Sequence, residues 1–199
     1  MKKIGIQARV AIAIAALIFL FTYKFPFWVI YLTAPQYPEG LTLYIYLHKL
    51  AGDIEIINGL NHYIGMAIID EADFKEFKFL PYIIAFIAVT GLITALSGSR
   101  KWLYGWTIFL VIFSVLAVYD FWRWEYTYGH HLDPDAAIQV PGMSYQPPLI
   151  GYKQLLNFGA YSYPHGGGWF YIAGVVIACV VTILEWRRKI KSIHGKKHT

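Results

Sequence analysis

The chain has 199 residues, of which 57% are hydrophobic, 18% aromatic and only 15% charged. Soluble domains carry nearer a quarter charged residues, so the composition excludes an ordinary soluble globule and points to the bilayer. The formal net charge of +5 does not mark a nucleic-acid binder: the excess sits at the chain ends beside apolar runs, with no basic patch between. The single cysteine, Cys179, excludes an intrachain disulfide and any paired-cysteine redox or zinc site.

Four stretches reach the roughly 20 apolar residues that a helix needs to cross a hydrocarbon core. They cover about 6–23, 79–96, 102–121 and 169–186. Lys2 and Lys3 precede the first, as in a signal peptide. However, Thr22-Tyr23-Lys24-Phe25-Pro26 offers no small-x-small cleavage site, so this run is expected to stay as an anchor. Pro81 falls in the first turn of the second run, where a missing N–H costs little. The predicted fold class is an all-α membrane protein, a single domain over 1–199 with four transmembrane helices.

Orientation follows from the basic residues. Lys2, Lys3 and Arg9 lie before or early in the first span, and Arg100 and Lys101 in the short turn between spans two and three. Arg187, Arg188, Lys189, Lys191, Lys196 and Lys197 occupy the tail, 187–199. These eleven of the 17 basic residues share one side, joined by a single acid, Glu185. The positive-inside rule then predicts both termini in the cytoplasm, with residues 24–78 and 124–168 facing the other compartment.

Those two connections read as ordered mixtures of short helix, strand and loop. Residues 25–32 are apolar but too short for a span, and suit an extended stretch; 41–50 fit a strand or a short helix. Asn58 or Asn61 could cap a helix running through His62 to Met66. Residues 70–78 are charged with helical period. In the second connection, Trp122-Arg123-Trp124-Glu125-Tyr126 reads as an interfacial cluster continuing span three. Pro and Gly then recur through Asp133-Pro134-Asp135, Pro141-Gly142-Met143, Pro147-Pro148 and His165-Gly166-Gly167-Gly168.

The chemistry in these connections is imidazole and thioether. Five of the seven histidines (His48, His62, His130, His131, His165) and both non-initiator methionines, Met66 and Met143, lie there. Such a set without thiolate suits copper, especially Cu(I). On a continuous helix, His62 and Met66 at i and i+4 would share a face; the alternative is a capped helix with one surface His and one core Met. Adjacent His130 and His131 would diverge, with Asp133 and Asp135 placed to orient an imidazole or simply to form a solvated turn. Met143 is a ligand or an apolar plug. His165, before three glycines, sits where backbone can approach something closely. Asp120, paired with either Arg123 or Lys24, suggests a structural ion pair at a membrane boundary. Among ions, copper is therefore the cofactor expectation, with His62, Met66, His130, His131, Met143 and His165 as candidate ligands. No triad, phosphate loop or haem-attachment motif occurs, so no catalytic residue is assigned.

The runs APQYPEGL (34–41), INGLNHYIGM (57–66), YDFWRWEYTYGHHLDPDAAI (119–138) and PGMSYQPPLIGYKQLLNF (141–158) extend the reading. They resemble a family of small bacterial membrane proteins often encoded in nitrous oxide reductase gene clusters, beside a copper lipoprotein chaperone. The resemblance spans nearly the whole chain and implies a setting in periplasmic copper-enzyme biogenesis or its electron supply. It assigns no catalytic role. The resulting expectation is an accessory membrane protein that binds copper and serves a periplasmic copper enzyme or copper chaperone, with other membrane subunits as further partners. Two alternatives stay open: a docking subunit without metal, and a redox subunit exchanging electrons with quinone.

Overall fold

Hydrophobic runs of about eighteen residues leave a helix little choice but to bury or face lipid, and four such helices form the base of the protein. The structure, a computed structural model, describes residues 3–194, with side chains described through residue 191. Helix α1 (Ile6–Ile18) continues as a 3₁₀ segment to Tyr23, and α2 (Ile54–Ile64) lies in the first connection. Helices α3 (Leu80–Ser97), α4 (Arg100–His130) and α5 (Gly166–His194) complete the set. All except α2 are long and apolar enough to cross a membrane.

α1 and α4 each pack against both α3 and α5. Lipid tails offer no hydrophobic force between helices, so close contact depends on small residues. At Gly91 a Cβ would stand 2.6 Å from the Trp106 ring and 2.9 Å from Ala16. Only glycine lets α1, α3 and α4 meet there. Thr107 and Thr182 share a hydrogen bond at 2.7 Å, as do Ser114 and Tyr171 at 2.9 Å, tying α4 to α5. At the end carrying the short turn, the buried Glu185 carboxylate takes Arg100 at 3.1 Å and Arg188 at 2.8 Å. Arg9 reaches the closing carbonyls of α3, Ala95 and Leu96.

The expected all-α class is corrected by the opposite end, which carries a five-stranded antiparallel sheet. Strands β1 (Trp28–Ala34), β2 (Tyr37–Ile45) and β3 (Leu50–Gly52) come from the first connection; β4 (Gly151–Leu155) and β5 (Phe158–Pro164) come from the second. Their order is β3-β2-β1-β5-β4, so the sheet closes only when β1 meets β5, with Tyr31 opposite Tyr161. That pairing joins residues about 130 positions apart, which no local pattern can display.

Alternation divides the sheet into two faces. Ile30, Leu32, Leu41, Leu43 and Ala160 point to one side, where α2 and the end of α4 cover them. Tyr31, Tyr44, Tyr152, Tyr161 and Tyr163 share the other. The 31 residues of α4 rise about 46 Å, well beyond the roughly 30 Å of a hydrocarbon core. We read its membrane section as residues 102–121. The remainder stands beside the sheet, with Trp124 and Tyr128 packed on its apolar face; Phe121, at the boundary, lies 5.2 Å from Trp28 and stacks on Trp124 at 5.8 Å. Asp120 and Arg123 form the expected ion pair at 3.1 Å. The charged stretch 70–78 is two short 3₁₀ turns rather than a regular helix.

Cysteines at opposed positions of antiparallel strands lie within disulfide reach. In a Cys179→Ser background, Tyr31→Cys with Tyr161→Cys is expected to cross-link under mild oxidation, read as a mobility shift on non-reducing gels. Tyr31→Cys with Tyr152→Cys, two strands apart, is expected to stay reduced; the reverse pattern contradicts the sheet order.

Candidate functional site

The helical stripe that turns the end of α4 towards the sheet runs through Phe121, Trp124, Glu125 and Tyr128, at spacings of three and four. Three of these are aromatic and pack on Ile30, Leu43, Ile57 and Ile69. The fourth is an acid, and it is fully buried. Neither Glu125 oxygen has a hydrogen-bond partner among the described residues.

Glu125 opens on a cavity of about 80 Å³ between α2, α4 and the sheet. Its wall is mostly apolar, interrupted by Asn61, Met66 and Tyr145. Tyr145 arrives on the loop after α4. Its backbone N–H donates to the Gly129 carbonyl at 2.9 Å, and a Cβ at Gly129 would stand 2.3 Å from the Gln146 backbone. Glycine at 129 is thus the condition for this loop to lie on α4. The Tyr145 side chain is buried, and its hydroxyl has no partner among the described residues.

Burial in apolar surroundings disfavours charge, so the Glu125 carboxyl is pushed up to about 8. At neutral pH it is a neutral acid, able to donate through its O–H as well as accept. Burial also pushes the Tyr145 phenol up, keeping it a neutral donor.

The other side of the cavity is set by two asparagines. Rather than capping α2, which starts earlier at Ile54, Asn58 brackets residue 69: its Oδ1 accepts from the Ile69 N–H and its Nδ2 donates to the Ile69 carbonyl. Asn61 donates to Ala67 at 3.3 Å. The helix itself stops at Ile64, because Gly65 takes a left-handed conformation (φ 78°) and the Met66 N–H returns to the Asn61 carbonyl. His62 and Met66 therefore do not share a helical face. His62 is exposed with its ring 6.0 Å from Tyr63, while Met66 is half-buried on the cavity wall.

The remaining candidates divide the same way. His130 is exposed, its ring stacked 3.9 Å from Tyr126 and its Nδ1 3.0 Å from the Tyr126 carbonyl. His131 is exposed at the end of α4, where its backbone N–H bonds Thr127. His165 lies edge-on to Tyr44 at 5.6 Å. The close approach that its three glycines allow is internal: the first turn of α5 presses on 25–27, and a Cβ at Gly168 would stand 2.3 Å from the Phe27 carbonyl. Met143 and Met66 are both half-buried and each packs against a cluster built around Ile64, Tyr145, Leu155 and Ala160. The two connections do meet here, since Asp133 donates its N–H to Gly65 and Ile138 to Tyr63. What they bring together is apolar surface. Among the described residues, no three His, Cys, Asp or Glu side chains converge as a metal group would require.

Sequence reading placed Glu125 in an interfacial cluster and missed its role. The available signal was its position on the inward stripe of an otherwise aromatic helix end. Glu125 holds its proton to higher pH in the folded protein than in the unfolded chain. Its contribution to stability is thus complete below the ordinary carboxylate range near 4.5 and is lost as pH rises towards about 8. Thermal unfolding in detergent, followed by tryptophan fluorescence, is expected to show stability falling by up to a few kcal/mol across that interval. Glu125→Gln should flatten the fall; an equal slope in both proteins contradicts a buried neutral acid. Comparison of the chain with protein-family models, with curated proteins and with solved structures finds no match, so the site stands on its own geometry.

Proposed function

We propose that this is an accessory protein of the bacterial cytoplasmic membrane that holds copper on its extracytoplasmic face and serves a periplasmic copper enzyme. The observation that carries the reading is that Met66 and Met143, from separate connections, both pack half-buried against one cluster. A pair of thioethers would be a soft donor set with few ligands, which suits Cu(I) better than any hard divalent ion. A small ligand number also suits an ion that must be handed on. The exposed His62, His130 and His131 are left outside this donor set, as is His165, engaged by Tyr44. The family resemblance of residues 34–41, 57–66, 119–138 and 141–158 supports the same setting. The basic residues at the short-turn end support the orientation, with the sheet domain outside the cytoplasm.

Titration of the detergent-solubilised protein with Cu(I), or with redox-inert Ag(I), tests the ligand set. Met to Leu conserves volume, so the fold should survive Met66→Leu with Met143→Leu. Wild type is expected to bind one equivalent and the double variant at least about tenfold more weakly; undiminished binding overturns the reading. For orientation, a membrane-impermeant thiol reagent applied to spheroplasts should label Ile150→Cys in a Cys179→Ser background. Lys101→Cys should react only after permeabilisation, and the opposite result would invert the topology.

A further inference from the structure

The face of the sheet turned away from α2 and α4 carries a row of tyrosines that the thioether reading does not use. Register sets Tyr31 of β1 opposite Tyr161 of β5, and Tyr161 opposite Tyr152 of β4. The ring centroids lie 6.3 Å and 4.6 Å apart, with successive rings tilted by 48° and 41° as the sheet twists. Tyr152 and Tyr161 are 53% and 41% exposed. Two glycines let the outer rings lie down on the sheet rather than stand up from it. A Cβ at Gly40 would collide with the Tyr31 ring, and one at Gly159 would stand 2.9 Å from the Tyr152 ring. Hydrogen bonds then fix both rings. The Tyr31 hydroxyl donates to the Glu39 carbonyl at 2.9 Å, and the Tyr152 hydroxyl donates to Gln154 Oε1. Tyr31 and Tyr152 therefore present ring faces that are set before anything binds.

Charge and polarity narrow the occupant. No strand position on this face is charged; Lys153 alternates to the other side, where its Nζ donates to the Gln146 carbonyl. A charged guest would find no counter-charge. Thr33 and Thr42 bring hydroxyls, and Gln154 an amide, to the rim of the row. A wholly apolar partner would strip these groups of water without replacing it. A sugar ring meets both conditions: the C–H bonds on its flat faces suit the negative face of an aromatic ring, and hydroxyls edge it. Spacing adds the length. Neighbouring strands stand about 4.8 Å apart, close to the advance per sugar along an extended β-1,4-linked chain, so a chain lying across the strands meets one tyrosine per sugar. Because β5 runs directly into α5, the row stands farther from the membrane than Tyr163 does. We propose that this face binds a neutral, extended β-1,4-linked glycan, with Tyr31, Tyr161 and Tyr152 stacking on successive sugars and Thr33, Thr42 and Gln154 hydrogen-bonding their hydroxyls.

The test uses the full chain in a detergent without a sugar headgroup, titrated by calorimetry with cellotetraose, chitotetraose and maltotetraose. The first two are extended β-1,4 chains, of glucose and of N-acetylglucosamine; the third has the composition of the first but coils. Saturable binding of an extended chain, at least about tenfold tighter than of maltotetraose, is expected. The tighter of the two extended probes tells a plain glucan from an aminosugar chain. Tyr152→Thr with Tyr161→Thr keeps strand propensity at two half-exposed positions and should weaken binding by about tenfold or more. Gly159→Ala keeps every ring but lifts Tyr152, and should weaken binding as well. No saturable binding of either extended chain, equal affinity for maltotetraose, or unchanged affinity in the two variants overturns the site. Met66→Leu with Met143→Leu separates this inference from the thioether reading, since it should weaken Cu(I) binding and leave glycan binding unchanged.

Discussion

The pairing of β1 with β5 is the constraint on which the rest of the structure hangs. Taken alone, β4 and β5 form a two-stranded hairpin, which is marginal in water, and β1 to β3 form a sheet with a three-residue edge. Joined, they satisfy each other's backbone groups and make one apolar face wide enough to cover. The membrane helices prepare the junction. α1 runs almost directly into β1, β5 runs directly into α5, and these two helices pack on each other. The ends of strands far apart in sequence are thereby held close, which lowers the entropy that closing so long a loop would otherwise cost.

The same geometry explains why two buried glutamates behave differently. Glu185 lies where the helix ends converge, and two arginines neutralise it. Glu125 lies where α4 leans on the joined sheet, and its surroundings are aromatic and aliphatic. The arginines hold Glu185 in place by ion pairing, whereas burial in apolar surroundings pushes the Glu125 carboxyl up to about 8. The first serves the architecture of the base; the second has no hydrogen-bond partner among the described residues.

Sequence alone revealed the base and half-revealed the domain above it. Mean hydropathy marks the four long helices because a span is a local property. The extended character of 25–32 was also legible, yet the sheet was not, since pairing of Tyr31 with Tyr161 depends on helix packing rather than on either strand. For the site, composition directed attention to the two connections and weighted imidazole over carboxylate. Gly65 turns Met66 away from the exposed His62, and His130 spends its ring on Tyr126. Glu125 was hidden because an acid at the edge of an aromatic run looks the same whether it faces water or a cavity; only the stripe through Phe121, Trp124 and Tyr128 distinguishes the two.

The central claim is that the two connections close over a carboxyl group that remains uncharged at neutral pH. Infrared spectroscopy of the membrane-embedded protein reads this state directly, through the carbonyl stretch of a protonated carboxylic acid. The account predicts such a band at neutral pH in the wild type and its loss in Glu125→Gln. A wild-type spectrum at neutral pH containing only ionised carboxylate bands would contradict it.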